Sequence, residues 1–246
     1  MAEVWLLDLG NTQAKLSCSV SFGAHGEVFF FEHPAQGILS PDLFALLVQK
    51  PKALILVAST SPQAREAFDS SSVGKRAITV RQQDIPLEII TTGTGIDRLL
   101  VAWAAWKSHK EGVLVADFGT AWTLDAVTRE GVFLGGAIGP GLSAQIQSLQ
   151  RSCPHLPTPS AVEASSEEIP RQSAAAVSAG TYRFLALGVN ALAQSFEDSA
   201  GQSLGRFLTG GASPLLRSFL PSTWKEEPHL MMKALASLPQ RESLDA

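Results

Sequence analysis

Cysteine is scarce. The 246 residues contain two, Cys18 and Cys153, without CxxC spacing. A disulfide framework is therefore not expected, and a reducing, cytoplasmic setting fits the chain better. No uninterrupted apolar segment approaches the roughly 20 residues that a bilayer-spanning helix needs. The start, Met1 to Val4, lacks the basic region of a secretory signal, and the apolar run that follows breaks at Asp8. Neither charge sign is in large excess: 19 basic against 23 acidic residues leave a net charge of −4. That balance calls for neither nucleic acid nor an anionic membrane as partner. The histidines at 25, 33, 109, 155 and 229 have no metal-ligand spacing, so no zinc site is assigned. Walker A and dinucleotide GxGxxG patterns are both missing, so a nucleotide site here would need another architecture.

Apolar residues make up 45% of the chain and charged residues 17%, the balance of a globular protein with a sizeable core. Residues 4–9 (VWLLDL) read as a buried strand, followed by a Gly10-Asn11-Thr12 turn and a returning strand at 14–20. A strand is expected at 27–32 and a helix at 41–49, opened by Ser40 as cap with Pro41 at its first position. Residues 53–58 (ALILVA) form another buried strand. A helix starts near Gly95, its apolar stripe carried by Ile96, Leu99, Leu100 and Trp103. The strand–aspartate–glycine–threonine–strand pattern of 4–20 recurs at 113–127. This recurrence and the alternation of strands and helices predict an α/β fold of two duplicated lobes, 1–112 and 113–246. Residues 154–170 read as an exposed loop, 172–197 as a long helix containing Gly180 and Gly188, and 206–209 as a short strand. The tail from 238 to 246 is expected to be disordered.

Five segments can carry chemistry. In Asp8 to Lys15 (DLGNTQAK), Gly10 lets backbone amides approach an anion, and Asn11 and Thr12 add neutral hydrogen-bonding groups. Asp8 at the strand end can hold a hydrated Mg²⁺ that bridges phosphates, and Lys15 can reach a phosphate from the returning strand. In Asp117 to Asp125 (DFGTAWTLD), Thr120 and Thr123 supply hydroxyls and Asp117 a charge for a cation. Two such turns facing each other would form a phosphate clamp, although a plain polar hairpin accounts for either one alone. Gly95-Ile96-Asp97-Arg98 sets a proton acceptor and an anion binder at a helix start, where Asp97 also serves as an ordinary first-turn carboxylate. Gly135 to Leu142 (GGAIGPGL) and Thr209 to Ala212 (TGGA) permit close backbone approach or a hinge.

These motifs, in this order, resemble the type III pantothenate kinases of the acetate and sugar kinase, Hsp70 and actin superfamily. The matching stretches are Asp8 to Thr12, Gly95 to Arg98, Asp117 to Ala121, Gly135 to Gly141 and Thr209 to Gly211. The resemblance implies a ribonuclease H-like, actin-like fold and phosphorylation of pantothenate by Mg-ATP, the first step of coenzyme A synthesis. It implies that Asp8, Leu9, Gly10, Asn11, Thr12, Gln13, Ala14, Lys15 and Thr120 contact ATP. It places pantothenate on Gly95, Ile96, Asp97 and Arg98, with Asp97 as proton acceptor and Ser173 in the place of a substrate-contacting threonine. Asp117 becomes the ligand of a monovalent cation, K⁺ or NH₄⁺, and the active form a homodimer. Two departures stand out. The segment from Leu87 to Thr94 is short and lacks a tyrosine found there in many members, and Trp122 replaces a usual threonine. A different kinase or phosphatase, or a non-enzymatic regulator, on the same scaffold are the other readings.

Overall fold

The computed structural model describes residues 3–35 and 38–238. Two compact units divide it. One takes the chain up to Leu87, Thr92–Ala104 and the chain from His229 on; the other takes Glu88–Thr91 and Ala105–Pro228.

The first unit begins with β1 (Val4–Leu9), in which all six residues are buried. β2 (Gln13–Ser21) returns antiparallel to it and sets Lys15 opposite Asp8. The short strands β3 (Ala24–His25) and β4 (Phe29–Glu32) both pair with β2, where the sequence predicts one strand at 27–32. α1 (Pro41–Val48) starts at the predicted proline, but Ser40 makes no side-chain cap bond. β5 (Leu54–Ser59) lies parallel to β1, Ser59 beside Leu9. The helix α2 (Pro62–Asp69) follows, capped by the Ser61 hydroxyl, which accepts from the Ala64 amide. β6 (Ala77–Thr79) completes a sheet of order β3-β2-β1-β5-β6. Leu7, Leu9, Leu16, Leu43, Leu47, Ile55, Val57 and Phe68 form one apolar cluster between this sheet and the two helices.

In the second unit, β7 (Glu88–Ile89) pairs with a later strand. α3 (Ile96–His109) spans the division, which falls between Ala104 and Ala105. Its burial is wider than the predicted stripe. Val101, Ala102, Ala104 and Ala105 are buried along with Leu99, Leu100 and Trp103, as expected of a helix that is apolar on most sides. β8 (Val113–Phe118) and β9 (Ala121–Val127) form the second hairpin, and β10 (Val132–Pro140) extends it antiparallel. α4 (Leu142–Ser152) and the short α5 (Ala161–Ala164) follow, so the predicted 154–170 loop carries one turn of helix. α6 (Ser173–Ser178) runs through a single π-helical turn at Ala179–Arg183 into α7 (Phe184–Ala200), which bears out the long helix and puts the irregular turn at Gly180. β11 (Gly205–Thr209), α8 (Ser213–Leu216) and β12 (Trp224–Glu226) close a sheet of order β12-β11-β8-β9-β10-β7.

α9 (Leu230–Ser237) then rejoins the first unit, packing on β1, β2 and β3 with Met232, Leu235 and Ala236 buried. The division is therefore discontinuous, whereas the sequence places one cut at 112/113. Apolar residues at the end of the chain find their cover on the first sheet. Of the predicted disordered tail, Leu238 is buried and the remainder lies outside the described residues.

The recurrence read in the sequence is a recurrence of topology. In each unit an antiparallel hairpin (β1-β2, β8-β9) has its first strand flanked by two parallel strands in succession (β5-β6, β11-β12). That repeat is the two-lobed actin-like architecture.

Candidate active site

In the first unit the end of β1 carries the charge. Asp8 is buried, and its Oδ2 lies 3.4 Å from Nζ of its cross-strand partner Lys15. Burial raises the Asp8 carboxyl above the ordinary aspartate value. Lys15 pulls it down by charge and hydrogen bond, and the nearby Asp97 carboxylate pushes it up. Beyond Asp8 the chain turns through Gly10, whose amide donates to Gln13 O at 3.1 Å. Asn11, Thr12 and Gln13 line an open cavity of about 550 Å³ together with Glu32, His33 and Ala35. Leu9 and Ala14 are wholly buried. Of the residues proposed from sequence to contact nucleotide, those two have only backbone to offer.

Asp97 and Arg98 occupy the first turn of α3, as the sequence predicts. Asp97 Oδ1 accepts from the Arg98 amide at 2.8 Å, which holds the carboxylate at the positive end of the helix. Gly95 precedes them; a Cβ there would lie 2.5 Å from Asp97 Oδ1, so a larger residue would have to displace that carboxylate. Asp8, Lys15 and Asp97 thus gather in one unit although they are far apart in sequence.

The sequence reading missed one contributor to this edge, the turn Ser59-Thr60-Ser61. Because β1 and β5 are parallel, the chain leaves both strands at the same end, the usual ligand-facing end of such strands. Leu9 O accepts from Ser59 Oγ at 3.0 Å and from the Thr60 amide at 3.3 Å. The signal was available: an apolar strand followed by Ser-Pro is a strand end with a helix start.

In the second unit Asp117 stands near the end of β8, between Thr123 of β9 and Thr209 of β11. Gly210 adopts φ +94°, and a Cβ on it would lie 2.4 Å from Asp117 Oδ1 and 2.5 Å from Phe118 N. The TGGA segment is thus packed against the Asp117 turn so closely that no side chain fits at Gly210. The helix behind it, α8, has only four residues. Thr120 and Ser173 are exposed, the latter at the first position of α6. Asp125, which a simple hairpin would expose, is 2% exposed on the same strand as Thr123.

Of the two readings of the Gly135 to Leu142 segment, close backbone approach is the one the structure shows. Most of it is β10, with no loop or hinge before Gly141. Its glycines admit the neighbouring strand: a Cβ on Gly136 would meet Leu124 O at 1.8 Å, and one on Gly139 the Trp122 indole at 2.5 Å. Trp122 therefore covers Gly139, where a threonine would leave that space empty.

The cation sites can be tested against these residues. Among the described residues no cluster of three or more His, Cys, Asp or Glu side chains is arranged to hold a metal. A divalent ion carried in by phosphates and water fits a lone carboxylate such as Asp8, because Mg²⁺ keeps much of its hydration and takes few protein ligands. Asp117, paired with the hydroxyl-bearing Thr123 and Thr209 on the flanking strands, belongs to an all-oxygen donor set of the kind hard cations take.

A model of the type III pantothenate kinase family matches residues 4–195. The chain belongs to this family. A type III pantothenate kinase from Anaeromyxobacter sp. is 28% identical over 96% of this chain and 98% of its own length. One from Rhodopirellula baltica is 34% identical over 68% of this chain and 62% of its own length. Two solved structures share the fold. A ROK family glucokinase from Streptomyces griseus, in complex with glucose and AMPPNP, has a TM-score of 0.55 at 12% identity, covering 96% of this chain and 98% of that one. An archaeal actin homologue has a TM-score of 0.51 at 12% identity, covering 95% and 98%. The family model spans residues 4–195, which include every candidate site residue placed above except the 209–212 turn.

Asp8→Asn separates stability from activity at this site. Because folding raises the Asp8 pKa, its contribution to stability is fully present below the unfolded value near 3.8 and is lost as pH rises through the folded value. At neutral pH the ionised carboxylate therefore opposes folding, and Asn removes that charge. The variant's urea midpoint at pH 7.5 is expected at or above the wild-type value, with the difference shrinking as pH falls toward 4. Turnover should drop by about 10²-fold or more, the usual loss when one preorganised electrostatic group is removed. A lower midpoint at pH 7.5 would show that the Lys15 pair outweighs burial.

Proposed function

We propose that this chain transfers the γ-phosphoryl group of ATP to the primary hydroxyl of pantothenate, using residues at the ends of β1 and α3 in the first unit and of β8 in the second. The single observation that carries the assignment of residues is the meeting of Asp8, Lys15 and Asp97 in the first unit, at positions that match the family's motifs. The Gly10 to Gln13 turn and Lys15 hold the nucleotide phosphates, and Thr120 adds a hydroxyl. Asp97 orients the pantothenate hydroxyl and takes its proton as oxygen bonds to the γ-phosphorus. The bond from that phosphorus to the bridging oxygen breaks, and ADP leaves. Arg98 holds the acceptor's carboxylate, and Ser173 adds a hydroxyl contact. Asp8 supports Mg²⁺ through water, and Asp117 is a ligand for K⁺ or NH₄⁺. When bound, these ions neutralise charge on the phosphate oxygens. Phosphoryl transfer consists largely of positioning and charge neutralisation, which is why one base and a set of phosphate-binding groups suffice.

The test is ADP release by purified protein with Mg-ATP, with and without pantothenate, in K⁺ and in Na⁺ buffer. Pantothenate-dependent release stimulated by K⁺ is the expected result. Release that ignores pantothenate, from folded and ATP-binding protein, would assign the chain to another acceptor.

A homodimer belongs to the same proposal, and α6–α7 supports it. Ala176, Gly180, Phe184, Leu187 and Ala191 are exposed at intervals of three and four residues, Phe184 at 72% and Leu187 at 51%. Gly180 and Gly188 each cost a helix about 1 kcal/mol relative to alanine. Neither is required by its own chain, since a Cβ at either would meet nothing within 4 Å. Small residues flanking exposed apolar ones suit close approach by a second copy. Phe184→Glu should convert a dimer to a monomer in light scattering while leaving the circular dichroism spectrum unchanged. A dimer that persists in the variant would place the interface elsewhere.

A further inference from the structure

We infer that Thr60 is a further acceptor-binding residue: its hydroxyl hydrogen-bonds a polar group of the acceptor beside the hydroxyl that Asp97 deprotonates. The inference rests on the reading of Asp97 as the proton acceptor and extends it to a residue outside the family's motifs.

Three observations carry it. The first is position. Thr60 directly follows β5 where that strand runs parallel to β1, and its amide donates to Leu9 O at 3.3 Å. It therefore emerges at the same end of the sheet as Asp8 and the Gly10 turn, where parallel strands present their ligands. The second is proximity. A Cβ built on Gly95 would lie 2.5 Å from Asp97 Oδ1 and 3.8 Å from Thr60 Cγ2. Gly95 thus lies beside both the Asp97 carboxylate and the methyl group of Thr60. An acceptor alcohol that reaches Asp97 enters within reach of Thr60.

The third is the state of the hydroxyl. Ser59 Oγ and Ser61 Oγ, on either side of Thr60, are both engaged: the first donates to Leu9 O and Ser61 O, the second accepts from the Ala64 amide. Among the described residues the half-buried Thr60 Oγ1 has no such partner. The turn and the α2 cap therefore do not depend on the Thr60 hydroxyl, which leaves its donor and acceptor capacity for a ligand. A hydroxyl can serve an alcohol or an amide equally, because it both donates and accepts. The acceptor chemistry matched is a small molecule with a neutral polar group next to its primary alcohol.

Thr60→Val keeps shape and volume and removes only the hydroxyl. The expected result is a KM for pantothenate raised about tenfold, the loss of one neutral hydrogen bond, with kcat and the KM for ATP within about twofold of wild type. Thr60→Ser restores the hydroxyl and should recover most of the lost affinity. The inference is overturned if Thr60→Val has wild-type constants, if both KM values rise together, or if Thr60→Ser behaves like Thr60→Val. A wild-type chain that turns over no pantothenate sinks the underlying reading and this inference together. Wild-type turnover with an unaffected Thr60→Val variant sinks only the role of Thr60.

Discussion

Asp97→Asn is expected to lower pantothenate-dependent turnover by about 10²–10⁴-fold, the range that one general base contributes, while ATP still binds with near wild-type affinity. The substitution isolates the proton-accepting role. Asparagine is nearly the same size as aspartate, and its side-chain oxygen can still accept from the Arg98 amide, as Asp97 Oδ1 does at 2.8 Å. Polar side chains of this kind suit a helix start, so α3 should stay intact. Stability should change little. What is lost is a site for the alcohol's proton at the moment of attack. Turnover is read by ADP release at saturating pantothenate, and ATP binding by calorimetry on the same preparation. Turnover within tenfold of wild type would remove Asp97 from the proton transfer and leave it a positioning role at most.

Gly210→Ala should be strongly destabilising in the second unit. Alanine at φ +94° is strained, by about 1–2 kcal/mol on the scale of left-handed backbone for L-residues. The new Cβ would also press on Asp117 Oδ1 at 2.4 Å and on Phe118 N at 2.5 Å. The expected loss of stability is at least about 2 kcal/mol, read from urea unfolding, because a clash against backbone cannot be relieved by a side-chain rotation. In the protein that remains folded, stimulation by K⁺ should weaken as the Asp117 carboxylate is displaced. The neighbouring Gly211→Ala provides the control, since a Cβ there meets nothing within 4 Å. If both variants unfold at the wild-type midpoint, Gly210 is not holding the Asp117 turn. If both lose stability equally, the effect belongs to the loop as a whole.

Much of the site can be read from neighbouring residues. An apolar run ending in Asp8 and broken by Gly10 can hardly be other than a strand end and turn, and the same holds at Asp117 and Gly119. Asp97 and Arg98 fall in the first turn of α3 because the apolar spacing from Ile96 to Trp103 fixes where that helix lies. Other features need contacts that the local pattern does not contain. The glycines from Gly135 onward fit close backbone approach or a hinge equally well from sequence; they form a strand, because the β9 backbone at Leu124 and the Trp122 ring occupy the space that side chains would fill. Leu9 and Ala14 lie within the Asp8 to Lys15 segment, but both are buried, so their side chains face the core.

By itself the sequence determined the alternation of elements, the two aspartate–glycine hairpins and the family. These depend on side-chain period, turn chemistry and motif order, all of which are encoded within short stretches of chain. The tertiary structure alone decided that α9 rejoins the first unit, that Gly210 packs directly on the Asp117 turn, and that Thr60 lies beside Gly95 and Asp97. Each of these joins residues distant along the chain through a parallel strand pairing or a close backbone approach. Such contacts are selected by which surfaces bury one another on folding, and no local pattern records that choice.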